Sequence, residues 1–197
     1  MDLIKIVKKV INEGIKVSKD ERIKLTNNKS FLQVIPLTID ASCKYGATTK
    51  WCVSGKERNV FKDYQERCHT VGMIMIKDPK IQQVLNGSKF ALNVYNGHIE
   101  IHNELGRAIG YSDMDEFSKE YNFTDDLRDV ITDFVNYHDN VCPDKKVFKG
   151  RAYKMLPSLF TDNDEKKDWI FIHHTAGTDN DENEDNMEID LSKRSSS

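Results

Sequence analysis

Sixteen residues, Asp40 to Gly55 (DASCKYGATTKWCVSG), hold two of the four cysteines, one of the two tryptophans and two of the ten glycines of this chain, beside the hydroxyls of Thr48 and Thr49 and the amine of Lys50. A lysine near a cysteine favours the thiolate, which is the nucleophilic form, and a hydroxyl can orient a ligand oxygen. Thr48, Lys50 and Cys52 are therefore a candidate pocket for an enzyme acting on a nucleotide or a protein. His69 is a candidate base, because an imidazole can activate a thiol. Tyr45, Thr48, Thr49, Lys50 and Trp51 are the candidate binding residues. A plainer reading makes Trp51 a core anchor, Lys50 a solvated edge residue and Cys52 a small buried hydrophobe. Burial is the expectation for Cys52.

A second constellation is His98-Ile99-Glu100-Ile101-His102. On a strand, period two puts His98, Glu100 and His102 on one face, and imidazole and carboxylate are first-row metal ligands. The preferred reading is a strand face opposite buried Ile99 and Ile101, with no metal. His98-x-Glu100 fits half of a zinc-deaminase pattern, but the Pro-Cys-x-x-Cys half is missing. Phosphate-loop and dinucleotide fingerprints are absent as well, so no cofactor is expected.

The elements that must position these groups follow from periodicity. Asp40 is an N-cap candidate for one helical turn through Cys43, which Gly46 would end in a left-handed conformation. Thr48 to Val53 then reads as a strand, with Thr49, Trp51 and Val53 on one face and Thr48, Lys50 and Cys52 on the other. Before it, Asp2 to Val17 carries Leu3, Ile4, Val7, Val10, Ile11 and Ile15 at helical spacing, a first amphipathic helix. Short strands are expected near Ile23–Leu25 and over Phe31–Leu37, where Pro36 must sit at the end.

After Gly55 come a short helix within Glu57–Arg67, with Val60, Phe61 and Tyr64 on one side, and an apolar strand, Gly72–Lys77. Phe90–Tyr95 and His98–His102 form a hairpin joined by Asn96-Gly97, since both central positions of a type I′ turn need positive φ. Ser112 and Asp115 stand at capping-box spacing before a short helix. A second helix starts at Thr124, with the stripe Leu127, Val130, Ile131, Phe134 and Val135. Cys142-Pro143 ends it, and Asp168–Ile172 is a last apolar run.

The expected fold class is α+β: an antiparallel sheet of about four to six strands with helices at both chain ends. The expected organisation is one domain over residues 1–174, followed by a disordered acidic tail over 175–197, whose composition offers little apolar surface to offset ordering entropy.

The run Tyr45-Gly46-Ala47-Thr48-Thr49-Lys50-Trp51-Cys52, followed by Phe61-x-x-Tyr64 and an apolar strand, resembles a segment of uncharacterised accessory proteins of tailed bacteriophages. The resemblance spans about residues 31–105 and implies a phage origin and a shared domain, with no catalytic role attached. Such a protein would act in the host cytoplasm by binding a host factor during infection, with a virion component as a further alternative.

Composition narrows the classes. The chain has 197 residues, a formal charge of -3 and 31% charged residues, with a pI near 6.1. These values argue against a broad nucleic-acid footprint. Locally, Lys145, Lys146, Lys149, Arg151 and Lys154 with Phe148 and Tyr153 could track a phosphate backbone, though a solvated face explains them as well. No run approaches a membrane span, and the N-terminus lacks a signal-peptide apolar stretch. Cys43, Cys52, Cys68 and Cys142 lack knuckle spacing, so reduced thiols are expected.

Overall fold

The computed structural model describes residues 15–148 and 155–160. Five strands run β1 (Arg22–Asn27), β2 (Phe31–Pro36), β3 (Val71–Ile76), β4 (Lys89–Tyr95) and β5 (His98–Asn103), and they lie in that order in one sheet. Every neighbouring pair is antiparallel. The helices are α1 (Ile39–Tyr45), α2 (Phe61–Glu66), α3 (Pro79–Val84), α4 (Tyr111–Glu120) and α5 (Thr124–Val141). The fold is α+β, as expected.

The pleat separates two sets of side chains, because alternate residues point to opposite faces. Phe31, Ile35, Ile74, Ile76, Phe90, Leu92, Val94, Ile99 and Ile101 pack with Leu127, Val130, Ile131, Phe134 and Val135 of α5. Phe31 meets Phe90 and Phe123 edge-on at 5.6 and 5.8 Å, each contact adding about 1 kcal/mol beyond burial. Val34, Met73 and Ala91 face the other way and pack with Ala41, Tyr45, Trp51, Val53 and Phe61. Within the first layer the Thr26 hydroxyl bridges the Gln33 amide at 3.0 Å and Asp133 Oδ2 at 2.8 Å.

The β4–β5 hairpin forms as read. Asn96 and Gly97 have φ of 48° and 76°, and the register pairs Tyr95 with His98 and Asn93 with Glu100. Counting outward from the turn therefore fixes which groups meet across the strands.

Three local expectations are corrected. First, Thr48–Val53 is not a strand. Thr49 Oγ1 donates to Gly46 O at 2.6 Å and Ser54 Oγ donates to Trp51 O at 2.8 Å, while Thr48 takes φ of 75°. These side-chain bonds give the backbone an alternative to ladder pairing, and it folds into consecutive turns. Second, α1 is capped by Thr38, whose side chain accepts from Ala41 N at 3.2 Å, and Gly46 has φ of -85°, outside the left-handed region. Glycine is needed there for close approach: a Cβ would lie 2.5 Å from Ser54 Cβ and 2.8 Å from Ser42 O. Third, α4 starts after Gly110 without a side-chain cap, and buried Asp115 instead accepts from Ser158 N and Oγ at 2.9 and 2.6 Å.

The expected helix over Asp2 to Val17 lies outside the described residues except for Ile15, Lys16 and Val17, which are not helical. Lys149, Arg151, Tyr153, Lys154, the Asp168–Ile172 run and the tail over 175–197 also lie outside them.

Candidate functional site

The turn segment after α1 is pinned at both ends. Lys89 Nζ from β4 donates to Tyr45 O at 3.0 Å and Ala47 O at 2.8 Å, closing the end of α1 where carbonyls lack helical partners. Trp51 Nε1 donates to Asn103 O at 2.8 Å, and Lys50 N to Glu104 O at 2.8 Å. Tyr45, Thr49, Trp51 and Val53 are buried, Thr48 is half-buried, and Lys50 and Cys52 are exposed. The alternation expected of a strand thus holds in burial although the strand does not form. Of the candidate binding residues, Tyr45, Thr49 and Trp51 build the fold, leaving Thr48 and Lys50 with accessible side chains. Lys50 makes no side-chain hydrogen bond to Cys52 among the described residues, so the Thr48/Lys50/Cys52 pocket is not closed by direct contact.

Cys52 is exposed, contrary to the expected burial, because the turn rotates it away from the layer that Trp51 and Val53 enter. Cys43 is the buried thiol of this segment. Cys52 Sγ lies 3.6 Å from Tyr64 Oη. Tyr64 reaches this place from α2, whose turn back to the sheet runs through Cys68 at φ of 54°, and His69 N donates to Tyr64 O at 2.8 Å. That bond sets the His69 ring edge-on to Tyr64 at 5.5 Å, and His69 in turn meets Tyr95 at 5.0 Å. The result is a row of three rings, Tyr64, His69 and Tyr95, and Tyr95 is 47% exposed.

Glu100 and His102 stand on the same sheet face. Glu100 Oε2 accepts from Asn93 Nδ2 at 3.3 Å and lies 3.3 Å from His102 Nε2. Asn93 is buried, and its Oδ1 has no hydrogen-bond partner among the described residues. His98 does not join them: its ring tilts against Phe148 at 5.4 Å. The His98/Glu100/His102 ladder is therefore split between two neighbours, and no metal-holding cluster occurs among the described residues.

Electrostatics define what these groups can do. Burial, followed by the hydrogen bond and charge of Cys52 and then the charge of Glu100, pushes the Tyr64 phenol up to about 12. It stays a neutral hydrogen-bond donor at ordinary pH. Burial and then the charges of Lys145 and Arg67 hold His69 below the usual imidazole value, so its ring is neutral near pH 7. His69 contacts Tyr64 and Tyr95, and the bonded partner of the Cys52 thiol is the phenol. The candidate Cys52/His69 pair is thus bridged by Tyr64. A phenol held protonated cannot take the thiol proton, so the arrangement suits stacking and hydrogen bonding better than proton abstraction.

Sequence reading missed Tyr64, Asn93 and Tyr95 as members. For the two strand residues the hairpin carried the signal, since Asn96-Gly97 dictates that Asn93 opposes Glu100. Of the basic segment, Lys145 Nζ donates to Arg67 O at 2.9 Å, and exposed Phe148 donates its N–H to Gly97 O at 2.9 Å. Lys145, Phe148 and Gly97 line, with His69 and Lys146, a cleft of about 460 Å³ beside the ring row. No helix of the described residues is long and apolar enough to cross a membrane. No protein-family model matches this chain, and no curated protein or solved structure matches it.

Proposed function

We propose that this chain is a phage-encoded accessory protein that acts in the host cytoplasm by binding a host protein on the surface where Tyr64 of α2 and His69, just before β3, meet Tyr95 of β4. The observation that supports this reading is the open row of three rings, with Tyr95 half out in solvent. Aromatic side chains supply large contact area at low conformational cost and dominate the energetics of interfaces. The test is affinity capture from host lysate by the wild-type chain and by Tyr95→Ala and His69→Ala, each checked for native circular dichroism. Specific capture by the wild type that both variants lose by tenfold or more is expected. Equal capture by folded variants overturns the assignment of this face.

A second reading has one observation in its favour, the exposure of Cys52 beside a phenol. An enzyme working on a nucleotide or a protein would use that thiol as nucleophile, with Lys50 and Thr48 at the entrance. Covalent trapping of a substrate-derived group on Cys52, abolished by Cys52→Ser, would favour it over binding alone.

A further inference from the structure

Two of the four cysteines meet at the other side of His69. Cys142 closes α5, its N–H donating to His138 O at 2.8 Å, and Cys68 follows α2, its N–H donating to Gln65 O at 3.1 Å. Both line one cavity of about 210 Å³, together with Thr70 and Tyr137. The two backbones are held against each other by two contacts made within four residues of the cysteines, and a third braces the Cys142 side. Thr70 Oγ1 pairs with His138 Nδ1 at 2.8 Å, His138 Nε2 with Lys145 O at 2.7 Å, and Lys145 Nζ with Arg67 O at 2.9 Å. Cys68 is part-exposed, whereas Cys142 is buried.

We propose that Cys68 and Cys142 form a redox modification site, a dithiol that a low-molecular-weight disulfide such as oxidised glutathione converts to an intramolecular disulfide. The steps balance by thiol–disulfide exchange. The accessible Cys68 thiolate attacks one sulfur of the oxidant, forms a mixed disulfide and releases one thiolate. Cys142, giving up its proton to solvent, then attacks Cys68 Sγ and expels the second small thiol. Cys68 and Cys142 are oxidised by two electrons, and one small disulfide is reduced to two thiols.

The order of attack follows from the surroundings. Burial, and after it the hydrogen bond and charge of Cys68, push the Cys142 thiol up to about 12. Cys142 is therefore a poor first nucleophile. Once Cys68 carries a mixed disulfide it has neither proton nor charge, so those two contributions vanish and the resolving step becomes easier. In a reducing compartment such a pair rests as two thiols and closes when the disulfide pool rises. This site does not depend on the binding reading above.

The experiment uses the full chain in two forms, wild type and Cys52→Ser, the second removing the exposed thiol that competes for oxidant. Each is incubated folded with oxidised glutathione, alkylated and mapped by peptide mass spectrometry without reduction. The expected result is a Cys68–Cys142 cross-linked peptide, loss of two alkylatable thiols from Cys52→Ser, and a rise in the unfolding midpoint of about 5–10 °C that dithiothreitol reverses. Cys142→Ser should instead retain glutathione on Cys68. A lasting glutathione adduct on Cys68 with Cys142 intact, or an unchanged thiol count in both folded forms, overturns the proposal.

Discussion

His138 is wholly buried, and its two ring nitrogens have different partners. Lys145 O can only accept, so Nε2 carries the proton and Nδ1 accepts from the Thr70 hydroxyl. Burial holds this imidazole below its ordinary value of 6.5, against smaller opposing effects of the Lys145 carbonyl and Asp139. The unfolded chain therefore binds a proton at a pH where the folded chain does not, and stability rises with pH across that interval. The contribution is complete above 6.5 and is lost as pH falls through the folded value, and His69 shifts in the same direction. Urea midpoints should fall from pH 7 to pH 5, a window above the carboxylate range, and His138→Gln should fall less steeply. An equal or steeper slope in the variant would exclude His138 as the source.

Cys52 offers a second test at the same scale. Because it is exposed while Cys43 and Cys142 are buried, iodoacetamide on the native chain should label Cys52 ahead of both, as read by peptide mapping. Cys52→Ala should then change stability by less than about 0.5 kcal/mol, as exposed substitutions do. Trp51→Ala should cost roughly 3–5 kcal/mol, since its ring fills the second layer. Labelling of Cys43 before Cys52 would contradict the turn geometry.

Between residue and fold, the segment after α1 tests whether close approach or conformational freedom explains a glycine. Gly46→Ala would drive a Cβ into Ser54 and the Ser42 carbonyl, and overpacking of this kind costs about 1–3 kcal/mol. At Gly55 the same methyl meets only Glu57 O at 3.6 Å, and the change should be near neutral by urea denaturation. If the two variants lose the same stability, steric exclusion is not the reason for Gly46. Legibility in the sequence followed the range of the interactions. The Asn96-Gly97 hairpin and the α5 stripe are set by neighbours within a few residues, and both were readable. Burial of Thr49, Trp51 and Val53 was readable from alternation, but the strand was not, because Thr49 and Ser54 hydrogen-bond to the backbone nearby and no periodicity records that. Asp115 has the spacing of a cap, yet its partner, Ser158, lies 43 residues on. The ring row fails the same way: Tyr64 and Tyr95 belong to separate elements, and only the sheet brings them to His69.

At the scale of the molecule, the α5 side of the sheet is closed by residues well past α5 in the chain. Leu156, Leu159 and Phe160 are buried in the same cluster as Phe31, Ile74 and Phe134. They are held by the paired bonds from Ser158 to Asp115 and by Arg128 Nε donating to Leu159 O. The partner of the buried Asp115 carboxylate is thus supplied by this short segment, so removing the segment does more than expose apolar surface. It also strips a buried carboxylate of its donors, which costs about 1–3 kcal/mol or more on top of about 1.5–3 kcal/mol for each anchor. A chain ended at Lys154 should therefore show a urea midpoint far below that of the full chain. Leu159→Ala alone should lose about 2–5 kcal/mol, and Asp115→Ala should interact non-additively with Ser158→Ala. Full additivity of that pair, with an unchanged midpoint in the shortened chain, would mean that residues 155–160 lie on the core without stabilising it.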